Sequence, residues 1–123
     1  GNKVVIGWSA TREATRAVHD AIPLMAPGAD VAIVSVTGGD GAEAAGATEL
    51  ARALDRHGFK AEVVQRTAPK SNIGEMLERE ALERGADLIV TGAFGHSRVY
   101  DFVIGAVTLE LMQSAAVPVL FAR

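Results

Sequence analysis

The stretch LIVTGAFGHSRVYDFVIGAVT, residues 88–108, joins an apolar run to a series of glycines and the start of a helical pattern. The run Leu88–Val90 leads into Gly92 and Gly95, and Gly105 follows after nine further residues. Glycine adopts positive φ without strain and lets a bulky anion approach the backbone. Because unpaired N–H groups at a helix N-terminus attract anions, the stretch predicts a strand, a phosphate-binding turn and a helix.

These glycines also have a purely structural interpretation. Glycine after a strand is a common turn residue in any α/β protein, and an isolated Gly-x-x-Gly is weak evidence for a ligand. Gly105, placed where the predicted helix begins, keeps the functional interpretation level with the structural one. The local pattern therefore leaves two alternatives open, a phosphate-binding loop and a structural turn.

Hydropathy patterns on either side of this stretch predict alternating strands and helices. The predicted strands are Lys3–Trp8, Asp30–Val36, Lys60–Arg66, Asp87–Thr91 and Val117–Phe121. The predicted helices are Thr11–Met25, Glu43–His57, one between Ser71 and Gly85, and one from about Ala106. This alternation requires an α/β fold, in which an open, mostly parallel five-stranded sheet has helices on both faces. We expect this Rossmann-like arrangement to form one domain over residues 1–123.

The apolarity of each predicted strand indicates its place in the sheet. Strands one, two and four are almost continuously apolar, as central parallel strands are, whereas strand three alternates and the short strand five comes last. We expect the last two at the sheet edges. Ligands of such sheets bind beyond the carboxyl ends of the strands, where the strand order reverses. The loop after Trp8 and the glycine loop after Thr91 should therefore meet at the ligand site.

The composition favours a folded binding domain over a nucleic-acid or membrane protein. The 123 residues are 49% hydrophobic and carry a net charge of −3, which argues against binding to nucleic acid or anionic membranes. No apolar run approaches the roughly 18 residues of a transmembrane helix, and no signal peptide is visible. The chain has no cysteine, which is compatible with the cytoplasm that we expect as its location.

The sequence offers no recognisable catalytic or metal-binding set. We find no nucleophile, base and orienting residue in a readable order, no Gly-x-Ser-x-Gly motif and no His-Glu-x-x-His motif. The charged residues Arg79, Glu80, Glu83 and Arg84 are interpreted as a solvated helix face with local ion pairs. We expect neither an enzyme nor a metal site.

The whole chain resembles a universal stress protein domain in the order of its elements, its length and its motifs. The spacing Gly92-x-x-Gly95-(nine)-Gly105 is similar to the nucleotide-binding signature of that family, and ADLIVTG (86–92) and VPVL (117–120) are typical of it. The segment FGHSR (94–98) is similar to the second half of tandem two-domain members. The resemblance implies an adenine nucleotide alpha hydrolase-like fold. It also implies ATP with Mg²⁺ as ligand or no ligand, because family members divide into ATP binders and non-binders.

Two positions depart from the family pattern. The Ser or Thr that normally follows the third glycine is Ala106, so a hydroxyl that would reach a phosphate is missing. The acidic residue that nucleotide-binding members carry at the end of strand one corresponds to Ser9. The backbone donors of Gly105, Ala106 and Val107 survive both changes, so we expect weakened binding and not its loss.

The candidate nucleotide-binding residues combine the two loops with their flanks. His96 and Arg98 could screen phosphate charge, or they could be ordinary loop polarity. Thr108 could replace the missing hydroxyl or bond locally, and Trp8 could stack on a base or pack in the core. The full set is Gly7, Trp8, Ser9, Val36, Thr91, Gly92, Gly95, His96, Arg98, Gly105, Ala106, Val107 and Thr108.

Three functions remain open from the sequence. The first is a regulatory, stress-response domain with a weakened adenine-nucleotide cleft. The second is a domain without nucleotide that acts through dimerisation or protein contacts, and the third is a weak ATPase. We expect the strand at 117–121 to pair with a second such domain, in a homodimer or in a tandem chain, because apolar sheet edges are usually covered.

Overall fold

The computed structural model describes residues 1–8, 12–36, 42–66, 73–92 and 117–122. Within these ranges the strands are β1 (Lys3–Trp8), β2 (Asp30–Val36), β3 (Lys60–Arg66), β4 (Leu88–Gly92) and β5 (Val119–Ala122). The helices are α1 (Arg12–Ala21), α2 (Ala42–Arg56) and α3 (Ile73–Arg84), with a short 3₁₀ turn over Ile22–Leu24. The helix predicted from about Ala106 lies outside the described residues.

The five strands form one sheet in the order β3-β2-β1-β4-β5. All four pairings between neighbouring strands are parallel, which confirms the predicted α/β fold. The three most apolar strands occupy the centre, and β3 and β5 lie at the edges, as their patterns predicted. The strand order reverses between β1 and β4, because β1 is followed by β2 on one side and β4 by β5 on the other.

Side chains that alternate along each strand pack against different helices on the two faces of the sheet. On one face, here called the α1/α2 face, Val4 and Ile6 pack with α1 residues such as Val18 and with Leu54 of α2. On the opposite face, the α3 face, Val5 packs with Leu77, Ala81, Ile89 and Val34. Helices therefore cover both faces of the described sheet, as predicted.

The first helix ends earlier than its apolar pattern predicted. The periodicity continues to Met25, and Met25 is buried, but the α-helix stops at Ala21 and the chain continues as the 3₁₀ turn that contains Pro23. Proline has no N–H to donate to the carbonyl four residues earlier, and its ring collides with that carbonyl. The tighter turn still carries Met25 into the core.

Glycines end the second and third helices as their positions predicted. Gly58 and Gly85 have φ angles of +90° and +66°, in the left-handed region that favours glycine after a helix. The Phe59 N–H then donates to the Leu54 carbonyl at 3.1 Å, and the Ala86 N–H donates to the Ala81 carbonyl at 2.8 Å. These turns direct the chain into β3 and β4.

Among the described residues, no helix is both long enough and apolar enough to span a membrane.

Candidate functional site

The carboxyl ends of β1 and β4 lie side by side at the point where the strand order reverses. Gly7 of β1 is in register with Thr91 of β4, and the sheet continues to β2 beyond one strand and to β5 beyond the other. In sheets of this class, ligands bind outside the carboxyl ends of the strands at such a reversal of strand order. The structure thus brings the ends of the two strands together. The sequence predicts that the loops after Trp8 and after Thr91 meet at the ligand site, but the first loop, and the second beyond Gly92, lie outside the described residues.

Gly7 and Thr91 form the floor of this region on the α3 face. Thr91 is buried, with 3% of its surface exposed. A Cβ atom at Gly7 would lie 2.7 Å from Leu77 Cδ1 and 3.3 Å from Thr91 Oγ1. Because such distances are below ordinary van der Waals contact, Gly7 allows α3 to pack directly on the backbone of β1.

Trp8 lies on the α1/α2 face, opposite to Thr91. Its indole belongs to the core cluster of that face and is 9% exposed. A Cβ atom at Gly46 of α2 would lie 3.4 Å from Trp8 Nε1, so the indole reaches across β2 to this helix. This position agrees with the packing role considered for Trp8, and its contact with a ligand stays a prediction.

Two buried polar atoms near the carboxyl ends of β1 and β2 lack partners within the described residues. They are Trp8 Nε1 and Ser35 Oγ, and their residues are in register on neighbouring strands. An unsatisfied buried polar group costs about 1–3 kcal/mol, and a water, a ligand or a neighbouring loop normally removes that cost. Sequence reasoning missed Ser35, although a serine within an apolar strand was the signal that could have found it.

The remaining candidates divide into two groups. Val36 ends β2 in register with Arg66, and Gly92 ends β4 in register with Ala122. Both therefore lie at the carboxyl ends of the strands, as Gly7 and Thr91 do. The others lie outside the described residues: Ser9, Gly95, His96, Arg98, Gly105, Ala106, Val107 and Thr108.

The interpretation of Glu80 as part of a solvated helix face is wrong. Glu80 is buried, with 6% of its surface exposed. Its Oε1 accepts a hydrogen bond from Arg66 Nε at 2.6 Å, and its Oε2 accepts one from Arg84 Nε at 3.0 Å. Arg84 also donates to Glu62 on β3. Spacing along α3 alone could not reveal this network, because β3 supplies Arg66 and Glu62.

The network decides the protonation of Glu80. Burial raises the pKa of this carboxyl group, but hydrogen bonds from Arg84 and Arg66 outweigh burial and bring the pKa below its ordinary value. Glu80 is therefore an anion that neutralises two arginines between α3 and β3. Arg84 in turn has a raised pKa, chiefly through its hydrogen bonds with Glu62 and Glu80.

A cleft of about 630 Å³ lies at the other end of the sheet, along the amino ends of β1, β2 and β3. Lys3, Asp30 and Lys60 line it and stand in register across these three strands. Because ligands of parallel α/β sheets bind at the carboxyl ends, this cleft does not mark the predicted site. Within the part of the chain that the structure describes, no group of three or more His, Asp or Glu side chains is arranged to hold a metal ion.

Comparisons with known proteins agree with the fold. The model of the Universal stress protein family matches residues 2–123. Universal stress protein Slr1230 from Synechocystis sp. is 33% identical over 72 residues, which are 58% of this chain and 24% of that protein. The matched region therefore spans about a quarter of this curated relative.

Solved structures show the same architecture. A universal stress protein from Archaeoglobus fulgidus DSM 4304 superposes with a TM-score of 0.76 at 18% identity, over 99% of this chain and 44% of that one. A universal stress protein in complex with cAMP superposes with a TM-score of 0.72 at 21% identity, over 99% of this chain and 96% of that one. At these identities the likeness establishes the fold alone.

Proposed function

The chain belongs to the universal stress protein family, and from this premise we propose that it is a regulatory domain that binds an adenine nucleotide weakly at the carboxyl ends of β1 and β4. The observation that carries the proposal is the reversal of strand order at these two strands. The chain leaves β4 at Gly92 directly into the segment with the Gly92, Gly95 and Gly105 spacing.

The physical basis of binding is a set of backbone donors and not a charged pocket. Glycine-rich turns before a helix present N–H groups to a phosphate, and Arg98 and His96 add cationic or polar side chains in the same segment. The relative solved in complex with cAMP shares the fold, which supports an adenine nucleotide as the ligand class. Mg²⁺ would accompany ATP through the phosphates, as it does in many nucleotide sites.

Two substitutions make weak binding the expected outcome. Ala106 has no hydroxyl to donate to a phosphate oxygen, and Ser9 has no carboxylate for the ribose or base. Neither change removes the backbone donors of the loop. We therefore propose reduced affinity compared with family members that have the complete signature.

A role in binding and regulation fits this site better than catalysis. Phosphoryl transfer needs a residue that positions the nucleophile and cations that stabilise the developing charge. The sequence contains no recognisable general base or Walker-type lysine near the glycine spacing. We propose that the domain is not an enzyme.

The second candidate function is assembly without nucleotide. It is favoured by β5, which lies at the edge of the sheet with Val119 and Leu120 only half-buried. In this alternative the cleft stays empty, and the domain acts through pairing with a second copy or a second domain.

Mass spectrometry can separate these two functions. The protein would be purified gently and denatured, and the supernatant would be analysed for nucleotides. An adenine nucleotide that the parent retains, and that variants substituted at Gly92 or Gly95 retain in smaller amounts, supports the first function. A supernatant without nucleotide, together with no binding of added ATP, supports the second. ATP turnover above the buffer background that a glycine-loop substitution abolishes would instead support the weak ATPase.

A further inference from the structure

Trp8 and Ser35 form a buried polar pair on the α1/α2 face of the sheet. The two residues are in register on β1 and β2. Ser35 comes two positions after Ile33, a core residue of that face, so both side chains point to the same side. Ser35 is completely buried and Trp8 nearly so. Within the described residues Trp8 Nε1 and Ser35 Oγ have no hydrogen-bond partner, and they do not bond each other.

The described core around this pair offers no polar side chain that could satisfy it. The other buried members of the cluster that contains Trp8 are apolar. The two further buried polar residues of the described chain, Glu80 and Thr91, lie on the opposite face. The helix residue nearest to Trp8 Nε1 is Gly46, which has no side chain. Because buried polar groups almost always have a partner, a small molecule between the two atoms is the expected solution.

The burial and the size of this site favour a water molecule. Both polar atoms are buried, and the cleft of about 630 Å³ at the other end of the sheet includes neither residue. Serine is smaller than Val31 and Ile33, which precede it on this face of β2, so it leaves space next to the indole. A buried water needs two to four polar partners. It accepts from the indole N–H and donates to, or accepts from, the hydroxyl.

We propose that one buried water bridges Trp8 Nε1 and Ser35 Oγ and joins the carboxyl ends of β1 and β2 beneath α2. Such a bridge is nearly as favourable in enthalpy as a direct hydrogen bond. By holding the indole, the water keeps in place the surface on which Gly46 packs. The inference is independent of the proposed nucleotide, and it gives a reason for the serine within the apolar run of β2.

A crystal structure of the parent protein, at a resolution that shows ordered waters, tests the inference directly. The expected result is one water within about 3.2 Å of both Trp8 Nε1 and Ser35 Oγ. A protein group that bonds either atom in place of the water would overturn the inference. A direct bond between the two atoms, or a gap without water, would overturn it as well.

Thermal melts of Ser35→Ala give a second test, through the sign of the change. The variant removes one partner of the water, so Tm should fall by roughly 2–8 °C, the shift that the loss of one hydrogen bond produces in a domain of this size. Without a bound water, the same variant removes an unsatisfied hydroxyl from the core. Tm would then stay the same or rise, and either result would contradict the inference.

A double-mutant cycle distinguishes a shared water from two independent groups. Trp8→Phe keeps an aromatic ring but removes the N–H donor, so the water has already lost one partner. The fall in Tm caused by Ser35→Ala should shrink to less than half in this background. In the background of Ile89→Val, a core change on the α3 face, the fall should stay the same. Equal falls in both backgrounds would overturn the bridge. If Trp8→Phe does not fold, the crystal structure and Ser35→Ala decide without it.

Discussion

Glu80 Oε1 lies 2.6 Å from Arg66 Nε and joins the middle of α3 to the last residue of β3. The same carboxylate is 3.0 Å from Arg84 Nε one helical turn further along α3. A buried anion between two partly exposed cations connects the α3 face to an edge strand. It also holds the side chain of Arg66, the last residue of β3, against α3.

Glu80→Gln should destabilise the protein by about 1–3 kcal/mol, because it replaces two charge-assisted hydrogen bonds at a buried position. Urea denaturation of parent and variant measures the change. Glu75→Gln is the matched control, because Glu75 pairs with Arg79 on the exposed side of the same helix and such pairs contribute about 0–1 kcal/mol. Equal losses for the two variants would show that the burial of Glu80 has no energetic effect.

Asp87 should make the fold sensitive to acid. The Asn2 N–H donates to its carboxylate at 2.9 Å and the Lys3 N–H does so at 3.2 Å, and these bonds, that of Asn2 first, lower the pKa of Asp87. The unfolded chain then binds more protons than the folded one, so stability rises with pH. This contribution is complete above the unfolded pKa of about 3.9 and is lost as pH falls through the lower folded pKa.

Asp87→Asn should therefore lower stability at neutral pH and reduce the slope of stability against pH below about pH 4. Urea denaturation at several pH values in that range measures the free energy of unfolding. Asp20→Asn, on the exposed side of α1, is the control variant. Glu80 contributes with the same sign, because its pKa is also lowered. A slope that Asp87→Asn leaves unchanged would rule out these backbone hydrogen bonds as its source.

Gly7→Ala and Gly46→Ala should change stability in opposite directions. At Gly7 the new Cβ would lie 2.7 Å from Leu77 Cδ1, and Leu77 is almost completely buried, so overpacking should cost about 1–3 kcal/mol. At Gly46 the nearest atom is Trp8 Nε1 at 3.4 Å, and alanine within a helix favours folding by up to about 1 kcal/mol. Thermal melts of both variants without ligand decide this, and a tolerated Gly7→Ala would contradict the packing described for α3.

The outer edge of β5 should pair with a second domain. Within the described residues no strand covers that edge, and Val119 and Leu120 give it an apolar character. The other edge strand, β3, carries Lys60, Glu62 and Arg66, and charged side chains discourage pairing. Sedimentation velocity should show a dimer at high micromolar concentration, and a clean monomer there would count against pairing between copies of this chain.

Local patterns were sufficient to predict most of the fold. The bounds of β1, β2 and β3 match the predicted ones residue for residue. Central parallel strands need nearly continuous apolar side chains, which marks β1 and β2, whereas the alternation in β3 marks an edge strand. The end of α1 was wrong because the hydrophobic period continues beyond Pro23 while the hydrogen-bonded helix cannot. A one-dimensional pattern records which side chains are buried, but not how the backbone brings them there.

The site could be predicted only in part, because it depends on contacts between distant segments. Strand order brings Gly7 to Thr91, and this followed from the alternation of strands and helices. The burial of Glu80 did not follow, because Arg66 is 14 residues away in sequence and reaches it through the packing of α3 on the sheet. The pairing of Ser35 with Trp8 did not follow from local sequence either, because the two residues lie on different strands.

The central claim is that this domain binds an adenine nucleotide weakly because Ala106 follows the third glycine of its signature. Calorimetric titration of ATP with Mg²⁺ into the parent and into Ala106→Ser tests it most directly. A hydroxyl that bonds a charged phosphate contributes about 1.5–3 kcal/mol, or roughly 10- to 150-fold in affinity. We predict weak binding by the parent and tighter binding by Ala106→Ser within that range. Equal affinities would show that Ala106 is not the limiting defect, and no binding by either protein would contradict the account.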